Sequence, residues 1–374
     1  MRILFIAAFT FSCQDSGRSW DLRGVGTATH ASPAPNPGGF RLKLGRSLGD
    51  AGGLSSFDAP KAIAASRQGL LAIFDAARCD ISIADTVALR VRLRFGKCGD
   101  GPGELRAVSA MVFAADTLVA YDFGHRAFEE FTASGTHIRR VPFTAGLVGS
   151  MAPLDDSLIL VAVARPGAIT TLPDSDRSAV EKLVATVSIT SGAIKRWFVA
   201  DSRQSLANPA PRSRLVAICG AVGTTEPRVA LESYWQFEGV TLRGQQLEPN
   251  AHFVVDLPWG GPRKVDGNPG FEPSISRITP ACGSEAIWFR RAHAEESPTG
   301  LQLVGGRSEF RSYDGKLLLA QVSDSADTLR LIGRSAALGN SFYTIVDWED
   351  VPRIQQFVLE SSQLSSKMER NDAR

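Results

Sequence analysis

No stretch of this 374-residue chain holds the roughly 18 consecutive apolar residues that a helix needs to cross a bilayer. No long basic run occurs either. With 41 Lys and Arg against 39 Asp and Glu, the net charge of +2 makes nucleic acid a poor partner. No C-x-x-C is present, which removes the usual signature of a structural zinc site. None of the five histidines (His30, His125, His137, His252 and His293) stands four residues from another, as paired metal ligands on a helix would. Asparagine is scarce: Asn36, Asn208, Asn250, Asn268, Asn340 and Asn371 are the full set, and none falls inside an expected inner strand. No helical period persists over ten residues before the C-terminal tail. The expected metal and cofactor content is therefore none.

Glycine and proline are plentiful, at 35 and 20 residues, and apolar residues make up 44%. That composition suits a large core built from many short strands and turns. The segment GKCGDGPGEL, Gly96 to Leu105, places four glycines and a proline within eight positions, Gly96 to Gly103. Neither a helix nor a central strand tolerates that density, so it must be a turn. It separates two packages of four strands. The first is expected at Lys61–Ala65, Leu70–Asp75, Asp80–Ala84 and Ala88–Phe95. The second is expected at Ala107–Phe113, Thr117–Asp122, Ala127–Phe131 and His137–Phe143. LLAIFD ends at Asp75 and LVAYD at Asp122, 47 residues later. A period of 40 to 50 residues with four strands per unit is a propeller signature.

Four further units follow less regularly. The third is expected at Leu147–Leu154, Ser157–Ala164, Leu183–Ile189 and Ile194–Ala200, with an insertion at Arg165–Glu181. The fourth is expected at Leu215–Cys219, Val229–Tyr234, Gln236–Leu242 and His252–Leu257, with a Gly- and Pro-rich loop at Pro258–Pro273 after it. The fifth is expected at Ser276–Cys282, Ala286–Arg290, Phe310–Tyr313 and Leu317–Val322, with a long middle connection. Leu329–Gly333, Phe342–Val346 and Arg353–Leu359 supply three strands of a sixth, and Phe40–Leu44 supplies its outer strand. The expected fold is all-β: a monomeric six-bladed β-propeller of four-stranded antiparallel blades over residues 40–360, its ring closed by the N-terminal strand, with a polar tail at 361–374.

GKCGDGPGE and the following DTLVAYDFGHRAFEEFTASG resemble six-bladed β-propeller lipoproteins related to the NHL repeat group. That group carries a G-x-G-P-G-E-F joint and a D-x-G-N-x-R-I-x-x-F blade pattern. Gly99, Gly101, Pro102, Gly103 and Glu104 match the joint, with Leu105 in place of phenylalanine. Asp122, Gly124, Arg126, Phe128 and Phe131 follow the blade pattern loosely. The resemblance implies a cell-envelope propeller, mostly without an assigned reaction.

The N-terminus agrees with export. Met1-Arg2 is positive, Ile3 to Ser12 is apolar or small, and Cys13 follows. The reading is a signal peptide over 1–12, lipid attachment at Cys13 and a linker over 13–39 that includes the spacer SPAPNPGG. Plain secretion is the alternative. The remaining cysteines, Cys79, Cys98, Cys219 and Cys282, are compatible with two disulfides or with four buried thiols.

Other motifs are read as structural. Gly45-Arg46-Ser47-Leu48-Gly49 fits G-x-S-x-G, but GDAGGLSS cannot supply the helix of a nucleophile elbow, so it is read as a turn. The adjacent pairs Asp155-Asp156, Glu129-Glu130 and Glu295-Glu296 alternate faces in a strand and are read as solvated. The histidines are read as surface or turn residues. Arg90, Arg92 and Arg94 alternate with apolar residues, giving a solvated face, with a polyanion site as the sharper alternative. Trp235, Phe237 and Trp259 are read as packing between blades rather than lining a groove. Asp75 and Asp122, at strand ends, are read as turn-fixing acceptors.

The functional expectation is a non-catalytic binding or scaffolding module of the bacterial envelope. It would recognise an unidentified protein or small molecule through rim loops and touch the membrane only through its anchor. The alternative is a propeller enzyme of lactonase or lyase type acting in the channel.

Overall fold

The computed structural model describes residues 40–49, 56–164, 182–199, 216–219, 228–232, 236–243, 246–254, 281–284, 286–297, 300–312, 318–324, 330–348 and 351–361. The signal segment, Cys13, the linker, the loops Arg165–Glu181 and Pro258–Pro273, Trp235, Trp259 and the tail beyond Ser361 lie outside them. So do the side chains of His252, His293, Phe237, Glu295 and Glu296.

The described regular elements are all strands. The first, β1 (Phe40–Leu48), is used last in the sheet order. Sheet I contains β2 (Pro60–Ala65), β3 (Leu70–Asp75), β4 (Asp80–Asp85) and β5 (Arg90–Phe95). Sheet II contains β6 (Val108–Ala114), β7 (Thr117–Asp122), β8 (Ala127–Thr132) and β9 (His137–Pro142). Sheet III contains β10 (Leu147–Pro153), β11 (Leu158–Ala164), β12 (Lys182–Ser188) and β13 (Ile194–Val199). Sheet IV contains β14 (Val216–Ile218), β15 (Arg228–Glu232), β16 (Gln236–Arg243) and β17 (Gln246–Val254). Sheet V contains β18 (Ala281–Cys282), β19 (Ala286–Ser297), β20 (Gly300–Ser312) and β21 (Leu318–Asp324). Sheet VI contains β22 (Arg330–Leu338), β23 (Ser341–Trp348) and β24 (Val351–Ser361), and β1 pairs with β24 as its fourth strand. Sheets I to V are antiparallel meanders, sheet VI adds β1 antiparallel to the meander of β22 to β24, and the sheets take a propeller arrangement.

The strand sequences explain this packing. In β3, Leu71, Ala72, Ile73 and Phe74 are consecutive and all buried, which requires cover on both faces. The outer strand β5 alternates instead, with Arg90 exposed and Val91 buried. Four buried clusters fill spaces between neighbouring sheets. Tyr343 and Ile354 of sheet VI meet Ile63 and Leu71 of sheet I. Phe74 and Ile81 of sheet I meet Met111 and Phe131 of sheet II. Tyr121 and Phe128 of sheet II meet Val161 and Val187 of sheet III. Trp288 and Phe310 of sheet V meet Phe342 and Phe357 of sheet VI, with Trp288 stacked on Phe310 at 5.6 Å between centroids. Burial of each large side chain contributes about 1.5–3 kcal/mol.

Three expectations need correction. The long connection expected in the fifth unit is the hairpin of β19 and β20, paired from Ala286↔Ser312 to Ser297↔Gly300. Strand β17 begins at Gln246, well before the expected His252, because its pairing with β16 extends to Arg243↔Gln246. The G-x-S-x-G segment is not a turn: Gly45 and Arg46 form a bulge within β1, and Ser47 and Leu48 resume pairing with β24. A Cβ at Gly45 would lie 2.5 Å from Gln356 Oε1, so the cross-strand glutamine occupies that space.

Candidate functional site

The chemistry-bearing side chains of the described residues gather where the chain passes from sheet I to sheet II. Gly96 to Leu105 forms a compact joint. Leu105 N–H donates to Lys97 O at 2.8 Å, and Glu104 N–H donates to Gly101 O at 3.1 Å. Glu104 folds its carboxylate back into the turn, where Oε2 accepts Gly101 N–H at 2.8 Å and Oε1 meets Lys97 Nζ at 2.8 Å. Those two contacts hold the Glu104 carboxyl below its ordinary range, the lysine contributing most. Gly99, at φ +152°, must be glycine: a Cβ there would sit 2.0 Å from Glu104 Oε2. Gly103 has φ +74°, and its Cβ would press on His137 at 3.0 Å. Pro102 is exposed at the tip. Leu105 is fully buried in the cluster between sheets I and II, where the resembled pattern has phenylalanine.

Cys98 is bonded to Cys79 in the β3–β4 turn, with Cα atoms 4.9 Å apart, which ties the joint to sheet I. Cys219 is bonded to Cys282, with Cα atoms 5.3 Å apart. The first bridge lies within one sheet and its exit; the second links the ends of strands in sheets IV and V.

Asp122 is fully buried at the end of β7. Its Oδ2 accepts Arg106 N–H at 2.7 Å, and its Oδ1 accepts Ala107 N–H at 3.0 Å and Gly124 N–H at 2.9 Å. One carboxylate therefore secures both the incoming joint and the outgoing turn. Asp75 does the same in sheet I, accepting from Asp58 N at 2.7 Å, Ala59 N at 3.0 Å and Ala77 N at 3.1 Å. The turn-fixing reading of both aspartates agrees with this geometry.

Glu129 lies on β8 beneath the joint and is fully buried. Arg140 and His137 reach it from β9, the histidine Nε2 at 3.0 Å, and His125 Nδ1 lies 3.4 Å away. Arg140 continues past Glu129 to the joint, donating to Asp100 O at 2.9 Å, Gly101 O at 3.1 Å and Glu104 O at 3.3 Å. Glu130 points to the other face of β8 and meets Arg139 at 2.9 Å. The two glutamates do alternate, but neither is solvated: neighbouring sheets cover both faces of β8. The signal was available in the register, because FEEF lies opposite HIRR and pairs Glu129↔Arg140 and Glu130↔Arg139. His125 is in a turn as expected but is not a surface residue. Its ring is 7% exposed, with Nε2 3.0 Å from Asp100 Oδ1 and Nδ1 3.0 Å from Asp122 Oδ2.

Sheet I contains a second version of this device that the sequence reading missed. Ser56-Phe57-Asp58-Ala59 corresponds to Glu104-Leu105-Arg106-Ala107 at nearly the same period as the aspartates. Phe57 is buried as Leu105 is. Arg94, opposite Ser82 in register, donates to Ser82 Oγ at 3.1 Å and to Ser56 O at 2.7 Å, and lies over the Phe57 ring at 5.9 Å. Arg94 is thus a clamp on the preceding segment, and the solvated-face reading holds only for Arg90 and Arg92. Arg78 adds bonds to Ser56 O and to both oxygens of Asp58. That contact holds the Asp58 carboxyl below its usual value. Asp80, facing Asp75 across β3 and β4, is pushed up to about 6 by burial first and by Asp75 second. Its Oδ1 is buried without a hydrogen-bond partner.

The chemistry of this arrangement is restraint. Carboxylates and guanidiniums spend their hydrogen bonds on backbone groups of the joints and on each other. Among the described residues no cluster of three His, Cys, Asp or Glu side chains has the placement to hold a metal ion.

No family model matches the chain, and no curated protein matches it. Solved structures do. A member of the DUF4221 family from Bacteroides vulgatus aligns over 87% of this chain and 99% of its own, at 11% identity and a TM-score of 0.58. A Bacteroides fragilis protein assigned to export aligns over 87% of this chain and 97% of its own, at 11% identity and a TM-score of 0.54. At such identity the likeness concerns the fold.

Proposed function

We propose that this protein is an exported, monomeric six-bladed propeller of the bacterial envelope, lipid-anchored at Cys13. It serves as a non-catalytic binding or scaffolding module that recognises its partner through rim loops. The observation that carries the reading is the use made of the polar residues around the joints. Asp122, Glu129, Arg140 and Arg94 are engaged by backbone groups and neighbouring side chains, so they build a rigid platform and leave recognition to the loops. The fold likeness to an exported Bacteroides protein and the disulfides support an oxidising compartment.

A closed ring of six blades is supported by a contact at each junction. Cores join sheets VI to I, I to II, II to III and V to VI. Ile218 N–H donates to Ser150 Oγ at 2.8 Å between sheets III and IV. The Cys219–Cys282 bridge joins sheets IV and V. In this reading β1 is the clasp that completes the last blade with residues from the start of the chain.

Two experiments test the proposal. Cells are labelled with radioactive fatty acid; label on the wild-type protein and none on Cys13→Ser is expected, and equal labelling overturns the anchor. For recognition, Arg165–Glu181 is replaced by a Gly-Ser linker of equal length. The variant is expected to keep its circular dichroism and lose the partner captured from detergent-solubilised envelope. Unchanged capture overturns the assignment to that loop.

A further inference from the structure

We propose that the outer circumference of sheets VI, I, II and III is a docking surface for a membrane bearing anionic phospholipid headgroups. The outermost strands of these four neighbouring sheets read FRLKLGRSL (β1), RVRLRF (β5), HIRRVP (β9) and IKRWFV (β13). They carry three, three, two and two Lys or Arg and no Asp or Glu. The outermost strands of sheets IV and V, QLEPNAHFV (β17) and LLAQVSD (β21), carry one acidic residue each and no Lys or Arg. The chain as a whole is nearly balanced in charge, so this segregation is not a consequence of composition.

Some of these cations are committed, as Arg94 and Arg140 are to the joints. Arg41, Arg90 and Lys195, together with Lys43 in an exposed pair with Glu360 at 3.5 Å, project from three different sheets. Exposed large apolar side chains lie among them: Leu44 on β1, 56% exposed, and Ile138 on β9, 44% exposed. Cations spaced along a curved rim with apolar side chains between them match an extended layer of anionic headgroups better than one small anion. The charges attract the headgroups, and the apolar side chains enter the layer. In sequence, β1 is also the first strand after Cys13 and the linker, so the anchor is nearest along the chain to this rim. That orientation rests on the anchor reading; the charge pattern does not.

The test uses the full chain with Cys13→Ser, so that no acyl group contributes. The protein is floated with phosphatidylcholine vesicles, with and without phosphatidylglycerol, at low and high salt. Flotation is expected only with phosphatidylglycerol and is lost at high salt, where screening shortens the reach of the charges. Each exposed cation is worth about fivefold in affinity. Arg41→Gln/Lys43→Gln/Arg90→Gln/Lys195→Gln should therefore weaken binding on the order of several hundredfold, with an unchanged unfolding midpoint. The control Lys61→Gln/Arg67→Gln, which removes exposed cations from an inner strand and a turn, should bind as before. Equal flotation on neutral vesicles, no loss in the quadruple variant, or binding to soluble dextran sulfate without binding to vesicles overturns the proposal. Fatty-acid labelling of the wild-type chain in cells reports on the anchor separately, so failure of either idea is visible alone.

Discussion

Sheets I and II solve one problem with different polar groups. Each has an aspartate at the end of its second strand that holds the incoming segment, and each has an arginine on its fourth strand that reaches back to that segment. Between aspartate and arginine they diverge. Sheet I places Ser82 beneath Arg94, whereas sheet II places Glu129 beneath Arg140. The repeated geometry is thus set by aspartate and arginine, and the residue between them decides how much buried charge the joint contains. Sheet II buries a full carboxylate and surrounds it with Arg140, His137 and His125. Sheet I offers a hydroxyl.

That contrast gives the largest expected effect. Glu129→Ala removes the counter-charge from a partly buried guanidinium and should lower the unfolding free energy by about 3–5 kcal/mol. Ser82→Ala, at the equivalent place, removes one hydrogen bond and should cost about 1 kcal/mol. Urea denaturation of both variants measures the difference; equal losses would mean that the two joints do not depend on their middle residues as described.

The next effect concerns the Cys79–Cys98 bridge, for which sheet II has no counterpart. It closes a loop with a sequence separation of 19, and Cys79→Ser/Cys98→Ser should cost about 3 kcal/mol. Mild reduction, which opens the Cys219–Cys282 bridge as well, should cost at least as much. Cleavage by trypsin at Lys97 should then become faster in the double variant, because the joint has lost its covalent tie to sheet I. A cleavage rate unchanged by reduction would show that Arg140 and Glu104 hold the joint unaided.

Much of this plan was legible in the chain. The glycine density of Gly96–Gly103 and the spacing of Asp75 and Asp122 pointed to sheets joined in series, because turn chemistry and period are local properties. The boundaries of sheets I to III were readable for the same reason. What escaped was anything that depended on a neighbour. Glu129 and Glu130 looked solvated because a lone strand offers two faces, one of them wet, while in this fold both faces are covered. Arg94 looked like its neighbours Arg90 and Arg92 until Ser56 and Phe57 were placed beside it. The long hairpin of β19 and β20 was hidden because sequences such as AHAEES and VGGRSE have neither a clean alternation nor enough apolar residues to announce a strand. Ser56 to Ala59 lacks the glycines of the second joint, so the first version of the device carried no turn signal of its own.

Asp80 breaks the comparison in a pH-dependent way, since Ala127 occupies its position in sheet II. Its pKa is pushed up to about 6, so the fold disfavours its charged form. A raised carboxyl pKa contributes stability below the unfolded value near 3.9, and that contribution is lost as pH rises through about 6. Asp80→Asn removes the buried charge without changing size. It should raise the unfolding free energy by about 1–2 kcal/mol at pH 8, and the gain should shrink toward pH 5, where wild-type Asp80 is largely neutral. Stability curves for both proteins across that range would show it. A gain independent of pH would mean that Asp80 keeps its charge through its 3.7 Å approach to Arg94.

The smallest effect is expected at the exposed edge of the second joint. Asp100 is 65% exposed on its side chain and binds Arg106 through two contacts of 2.5 Å, with His125 adding a third. These partners hold the Asp100 carboxyl below its ordinary value, Arg106 first. An exposed pair of this kind contributes little to stability and is screened by salt. Asp100→Asn should therefore lower stability slightly at low ionic strength and not at all in concentrated salt. Arg140 should keep its hold on the joint in the same variant, because it binds the Asp100 carbonyl and not the carboxylate. If Asp100→Asn instead approached the cost of Glu129→Ala, the joint would be held from its solvent side, and the buried glutamate would no longer explain why sheet II differs from sheet I.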